Sequence, residues 1–342
     1  MTAFTSNFRR LSLSLIVFFG FGLSTVFASA EAESEPEEFK ASEVIMHHVM
    51  DDHVWHLWDH GGTIYLPIIA YTSTGLKVFS SHHFYDEHHH ASLEHEGLKL
   101  EGHHIVETAT GKHALDFSIT KNVAMLFINA TLLLLVFVAV AKGYKTNLNK
   151  APKGIQSFFE PIIIFIRDEI VKPNIGPHYE KYFPYMLTLF FFILFGNLLG
   201  LLPGAGNLTG NIAVTFVLAV LTFVITNING NKAYWGHIFW TPGLPFLIRF
   251  IILPVEIVGI FTKPISLMVR LFVAITAGHI VLLSLICLTF IFKSYAVGAG
   301  STVIVLFISL IELLVAGIQA YVFTLFSSLY IGMAIASHDD HH

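Results

Sequence analysis

Hydrophobic positions follow two rhythms along this chain. Beyond residue 122 they form long, nearly unbroken runs; before it they come in short alternating groups between glycine-containing turns. A helix needs about 20 predominantly apolar residues to cross a bilayer, and residues 123–141, 182–203 and 211–227 each supply a run of that order. Residues 242–292 stay apolar for so long that they suffice for more than one crossing, and 302–336 form a last long run. Residues 155–170 are two-sided, with Phe158, Phe159, Ile162, Ile163 and Ile166 set against Gln156, Glu160, Arg167 and Asp168. That pattern predicts a helix lying at the membrane surface. Upstream, residues 63–72, 76–79 and 98–101 mix β-branched and aromatic residues between turns and predict short strands.

The start of the chain has its own pattern. Arg9 and Arg10 precede an apolar stretch over residues 11–27, and Ala28-Ser29-Ala30 fits a small-residue cleavage site. Residues 1–30 therefore read as a signal peptide. Residues 31–122 become an exported segment, 123–337 a transmembrane domain and 338–342 a cytoplasmic tail. The acidic, proline-containing residues 31–38 have too little apolar content to fold and read as a linker. Lys142, Lys145, Lys150 and Lys153 follow the first long run and place that loop in the cytoplasm. The expected fold is an all-α polytopic membrane protein of about five transmembrane helices, with a small β-rich exported segment at its amino end.

Composition sharpens this picture. The 342 residues are 54% hydrophobic and only 13% charged, about half the charge of a soluble globular domain. A soluble enzyme is excluded. Residues 31–122 hold 16 of the 24 acidic residues but 5 of the 19 basic ones, so the exported segment and the apolar remainder face different solvents. Cys287 is the single cysteine, which excludes a disulfide framework. Neither a nucleotide motif nor a phosphate loop occurs, and nothing suggests nucleic-acid binding.

Charge inside the long runs marks the candidate chemistry, because an ionisable side chain at the bilayer centre costs at least about 2.5 kcal/mol. Glu256, Lys263 and Arg270 recur every seven residues and fall on one helical stripe, which Ser266 shares. His279 lies nine residues past Arg270, about 13.5 Å further along and on nearly the opposite face. Glu312 and Gln319 share a face of the last run. If the two helices are antiparallel with Gln319 level with Arg270, Glu312 and His279 come within about 3 Å in depth. A carboxylate beside an imidazole handles protons near neutral pH, whereas Arg270 stays charged and acts as a fixed barrier. The competing readings are structural: Lys263 and Arg249 snorkelling to an interface, Arg270 in a salt bridge, and Gln319 in an interhelical hydrogen bond.

Lys263-Pro-Ile-Ser-Leu-Met-Val-Arg-Leu-Phe272 followed by Ala277-Gly278, then Ile318-Gln-Ala-Tyr-Val-Phe323, and Asn197-Leu-Leu-Gly-Leu-Leu-Pro203 upstream resemble the a subunit of the F-type ATP synthase membrane (Fo) sector. The resemblance covers roughly residues 120–336 in order and spacing. It implies a non-catalytic stator subunit in the bacterial inner membrane that offers two proton half-channels to a rotating ring. Its implied partners are the c-subunit ring, the b stalk, the F1 sector and membrane lipids, with no cofactor. It further implies two long, tilted carboxyl-terminal helices, an outside amino terminus and a cytoplasmic carboxyl terminus.

Residue by residue, the resemblance makes Arg270 the essential charge facing the ring and Gln319 its opposite neighbour. His279 and Glu312 become the outer half-channel pair, exchanged between helices relative to many bacterial members. Glu256 becomes an inner half-channel carboxylate and Asn211 a polar residue of the third crossing. The chain departs from the family pattern at Val273 and Ala274, where many members have Gly-Asn, and at Gly200, often acidic.

Fourteen histidines fall between residues 47 and 113. His82, His83, His88, His89 and His90 are metal candidates, yet their spacing forms no closed ligand set, and a solvated polar segment is the better reading. Local proton buffering is a third. Against the stator reading stands a secondary or metal-ion transporter with a histidine-rich capturing domain. It requires inverted repeats and a midplane ligand set, neither of which the sequence contains.

Overall fold

The computed structural model describes residues 50–56, 62–85, 93–102, 104–146, 151–202, 204–240 and 245–336. The signal segment, the acidic linker, His47, His48, His88, His89, His90 and the 338–342 tail lie outside these. The chain divides into two compact units, one holding 52–119 with 202–205, the other the remaining described residues.

Among its described residues the first unit contains seven short strands in three antiparallel sheets: β1 (Val54–His56) with β2 (Thr63–Tyr65), β3 (Pro67–Thr72) between β4 (Gly75–Ser80) and β7 (Leu115–Asp116), and β5 (Leu98–Glu101) with β6 (His104–Glu107). Ile68, Ala70, Phe84, Leu98 and Ile105 form its core. The single strand expected over 63–72 is two strands. Pro67 lacks an N–H, β2 pairs with β1, and β3 takes different partners. The β3–β4 turn closes at Gly75, whose φ of +119° no other residue adopts readily. Glu107 fastens it: its carboxylate accepts from the Ser73 backbone (2.6 Å), the Ser73 hydroxyl (2.9 Å) and the Thr110 hydroxyl (2.8 Å). These donors, the Ser73 amide first, hold the Glu107 carboxyl below its ordinary range. His53 is buried with Nε2 2.8 Å from Asp116 Oδ2. Burial alone would raise Asp116, but this hydrogen bond and those from Ser118 outweigh it and hold the carboxyl low.

The second unit is helical: α1 (Lys121–Thr146), α2 (Ile155–Phe165), α3 (Lys172–Ile175), α4 (Tyr179–Gly200), α5 (Ile212–Ile228), α6 (Lys232–Phe239), α7 (Phe246–Phe292) and α8 (Tyr295–Ile335). Among the described residues four helical stretches are long and apolar enough to cross a membrane, and a fifth if α5 and α6 count as one span bent by 101°. The protein is a multi-pass membrane protein. The helix expected over 155–170 continues through a π-helical turn, Ile166–Val171, towards α4 as part of one apolar stretch. The π turn brings Ile166, Ile170 and Val171 into the bundle core, while Phe158 faces outward. Within the 242–292 run, Phe246–Phe292 is one helix of 47 residues, because Pro254 and Pro264 each remove a single ladder bond without breaking it.

At 1.5 Å per residue α7 is about 70 Å long and α8 about 62 Å, twice the roughly 30 Å hydrocarbon core, so both must tilt or extend beyond it. α8 begins seven residues before the expected run. The glycine-rich residues 296–300 continue the helix, with the Ser301 hydroxyl 2.7 Å from Thr289 across the hairpin. Near the other end, Gly332 lies against α3 so closely that a Cβ would run into the Asn174 carbonyl. Gly332→Ala must therefore push α8 from α3 and is expected to destabilise the purified protein by about 1–3 kcal/mol, read as a lowered Tm in detergent.

Candidate functional site

Polar side chains enter this bundle where small neighbours make room for them. Glu312 on α8 is 4% exposed and His279 on α7 is 13% exposed, with His279 Nδ1 3.9 Å from Glu312 Oε1. Gly278 creates the space: a Cβ there would stand 3.2 Å from Glu312 Oε1. Glu312 Oε2 is buried without a hydrogen-bond partner among the described residues. A buried carboxylate with an unused oxygen is unfavourable in a merely structural position but suits a group that takes up and gives up a proton. Lys121, nearly buried in the first turn of α1, is close enough for its charge to act on His279.

Arg270 is half-buried on α7, and its guanidinium carbon lies 4.3 Å over the Phe326 ring of α8. Seven residues earlier, Lys263 Nζ lies 5.6 Å over the Tyr330 ring. Both cations of the sequence stripe thus rest on aromatic faces of the antiparallel partner, a favourable cation–π arrangement. With His279 beside Glu312 and Lys263 over Tyr330, the helix register brings Gln319 within about one turn of Arg270. No hydrogen bond joins those two among the described residues. Gln319 and Ser266 are half-buried. Glu256, at the amino-terminal end of the stripe, has Oε1 4.0 Å from His237 Nδ1 on α6. Arg249 stacks on Trp240, 4.6 Å from the ring.

Asn211 has a local task. It caps α5, its Oδ1 accepting from the Ala213 amide at 2.8 Å. Behind Glu312 lies a buried set that the charge search passed over. Thr209 donates to Asn197 Oδ1 (2.6 Å), Asn197 Nδ2 donates to the Ala316 carbonyl (3.0 Å), and Asn129 Nδ2 donates to the Phe192 carbonyl (3.0 Å). Lone asparagines inside apolar runs were the available signal. In the first unit, His82 and His83 are exposed, and the His83 and His95 rings stack at 4.2 Å. Among the described residues no three potential ligands are grouped to hold a metal ion.

Comparison with known proteins gives the family. A family model described as ATP synthase A chain matches residues 123–332, and one described as a domain of unknown function matches 44–126. ATP synthase subunit a of Chloroherpeton thalassium is 44% identical over 271 residues, 78% of each chain. ATP synthase subunit a of Chlorobium phaeobacteroides is 40% identical over 318 residues, 91% of this chain and 80% of the relative. Arg270, His279, Glu312 and Gln319 lie within the matched residues, and the chain belongs to the ATP synthase A chain family.

Proposed function

We propose that this chain is the stator channel subunit of an F-type ATP synthase, coupling proton flow to rotation of a c-subunit ring. The observation that carries this reading is the order of charges along α7. Arg270 lies between a buried imidazole–carboxylate pair on one side and the accessible Glu256 on the other. A guanidinium cannot lose its proton near neutral pH, so protons do not hop past it. It separates two access paths, one ending at His279 and Glu312, the other at Glu256. A proton arriving from outside reaches Glu312 and His279 and loads a ring carboxylate. After nearly a full rotation it leaves by way of Glu256. Arg270 favours the ionised ring carboxylate as it passes, since an adjacent positive charge stabilises the charged form.

The remaining assignments follow the same frame. Gln319 flanks Arg270, Ser266 lies on its stripe, and Asn211 holds the outer end of α5. Exposed Ile265, Val269 and Val273 on α7, with Ile311, Leu314 and Ile318 on α8, form the apolar surface on which the ring and lipids pack. The b stalk and the F1 sector complete the assembly. The chain performs no nucleotide chemistry itself, its mature amino terminus lies outside and its carboxyl terminus in the cytoplasm, in a bacterial inner membrane. Family membership leaves the metal-transporter reading without support.

Reconstitution tests the proposal. Liposomes holding this chain with the c ring and b stalk are expected to conduct protons under an imposed potential, whereas liposomes holding the chain alone are not. Proton or metal transport by the isolated chain would overturn the reading.

A further inference from the structure

Glu256 is not the last group on its side of Arg270. Helix α6, only eight residues long, turns back from α5 and presents His237 to Glu256, with Nδ1 4.0 Å from Oε1. Its position is fixed by Asn231, which serves two helix ends at once. Asn231 Oδ1 accepts from the Tyr234 amide (2.7 Å) and caps α6, while its Nδ2 donates to the Ile335 (3.2 Å) and Ala336 (2.5 Å) carbonyls that end α8. The Asn231 amide donates to Ala334 O at 2.9 Å, and the Tyr234 hydroxyl donates to Asn227 Oδ1 at 3.2 Å. Gly230 admits the Tyr234 ring, which a Cβ there would meet at 2.7 Å. A helix too short to be stable alone is thus held to α5 and α8 with its imidazole facing α7.

Around Lys263 a cavity of about 10 Å³ is lined mostly by apolar groups, including Ile260, Pro264 and Leu267, with Thr226, Asn227, Tyr234 and Tyr330 at its wall. From Arg270 outward along α7 the sequence of groups is Lys263 over Tyr330, at the level of this cavity, then Glu256 and His237, of which His237 is 59% exposed. The charged and titratable groups acting on Glu256 are His237 and Tyr234 from α6 and Lys263 from its own helix.

We propose that His237 is the proton-release partner of Glu256, so that the path on this side of Arg270 ends in an imidazole–carboxylate pair as the other side does. This rests on the channel reading above and extends it by one residue. The ring carboxylic acid gives up its O–H proton and becomes a carboxylate. The Glu256 carboxylate takes that proton and passes it to His237 Nδ1, directly or through one water across the 4.0 Å gap. The imidazolium then loses its Nε2 proton to solvent base. Histidine is suited to this last step because it titrates near neutral pH. Exposure of its side chain lets it exchange protons with bulk water.

The test uses the whole complex in vesicles, with ATP synthesis driven by an imposed proton gradient and the pH on the Glu256 side varied between about 6 and 8. His237→Ala, at an exposed position, is expected to slow synthesis about fivefold, most at the upper end of that range. Free imidazole at tens of millimolar on that side is expected to restore most of the rate, which a purely structural loss would not allow. A rate unchanged at every pH, or a loss that imidazole does not repair, overturns the proposal. Arg270→Ala in parallel separates the two readings. If it still couples proton flow to synthesis, the channel reading itself fails; if it is inactive while His237→Ala behaves as wild type, the release role alone fails.

Discussion

Arg270→Ala is expected to abolish proton-driven ATP synthesis while the complex still assembles. Arg270 is half-buried and packed over Phe326, so alanine removes a charge from a helix face without opening the buried core around Leu267 and Leu271. What disappears is the barrier. Without a permanent positive charge between the two access paths, nothing favours the ionised ring carboxylate at the crossing point, and protons pass without turning the ring. Arg270→Lys keeps a charge but loses the planar, always-protonated fork, so it is expected to recover little.

The second large effect is expected at Glu312. Glu312→Gln keeps the volume beside Gly278 and removes the carboxylate of the proton-carrying pair, so ATP-driven proton pumping should fall on the order of 10²-fold. His279→Asn should do similar harm. Because the two side chains are 3.9 Å apart across antiparallel helices, their losses should not add. The double variant His279→Glu with Glu312→His, which exchanges the groups, is expected to pump at least several-fold faster than either single loss. Pumping at wild-type rate by Glu312→Gln, measured by quenching of a pH-sensitive dye in vesicles, would remove Glu312 from the path.

Much of this arrangement was legible in the chain itself. Seven-residue spacing put Glu256, Lys263 and Arg270 on one stripe. With the two helices set antiparallel and Gln319 level with Arg270, helix rise brought His279 and Glu312 to similar depth, because a straight helix converts sequence separation into distance reliably. His237 was hidden for the opposite reason: it reaches Glu256 only because α6 folds back at a 101° bend, and turns carry no such periodicity. Lys121 likewise sits in the first turn of α1, where sequence arithmetic gives no depth relative to His279. The hydrophobic runs located the membrane helices, but the start of the last one moved where residues 296–300, with Gly298 and Gly300, continued the helix. In the first unit the short strands β1, β6 and β7 show no clean alternation. Pairing with neighbours, which a single sequence does not display, defines them.

The central claim is that one fixed charge makes proton flow obligatory for rotation. The most direct measurement records proton flux and ATP synthesis together in vesicles carrying wild-type or Arg270→Ala chains under the same imposed gradient. Proton flux that continues in the Arg270→Ala vesicles with no ATP formed is the predicted result. ATP formed in proportion to flux in those vesicles would contradict it.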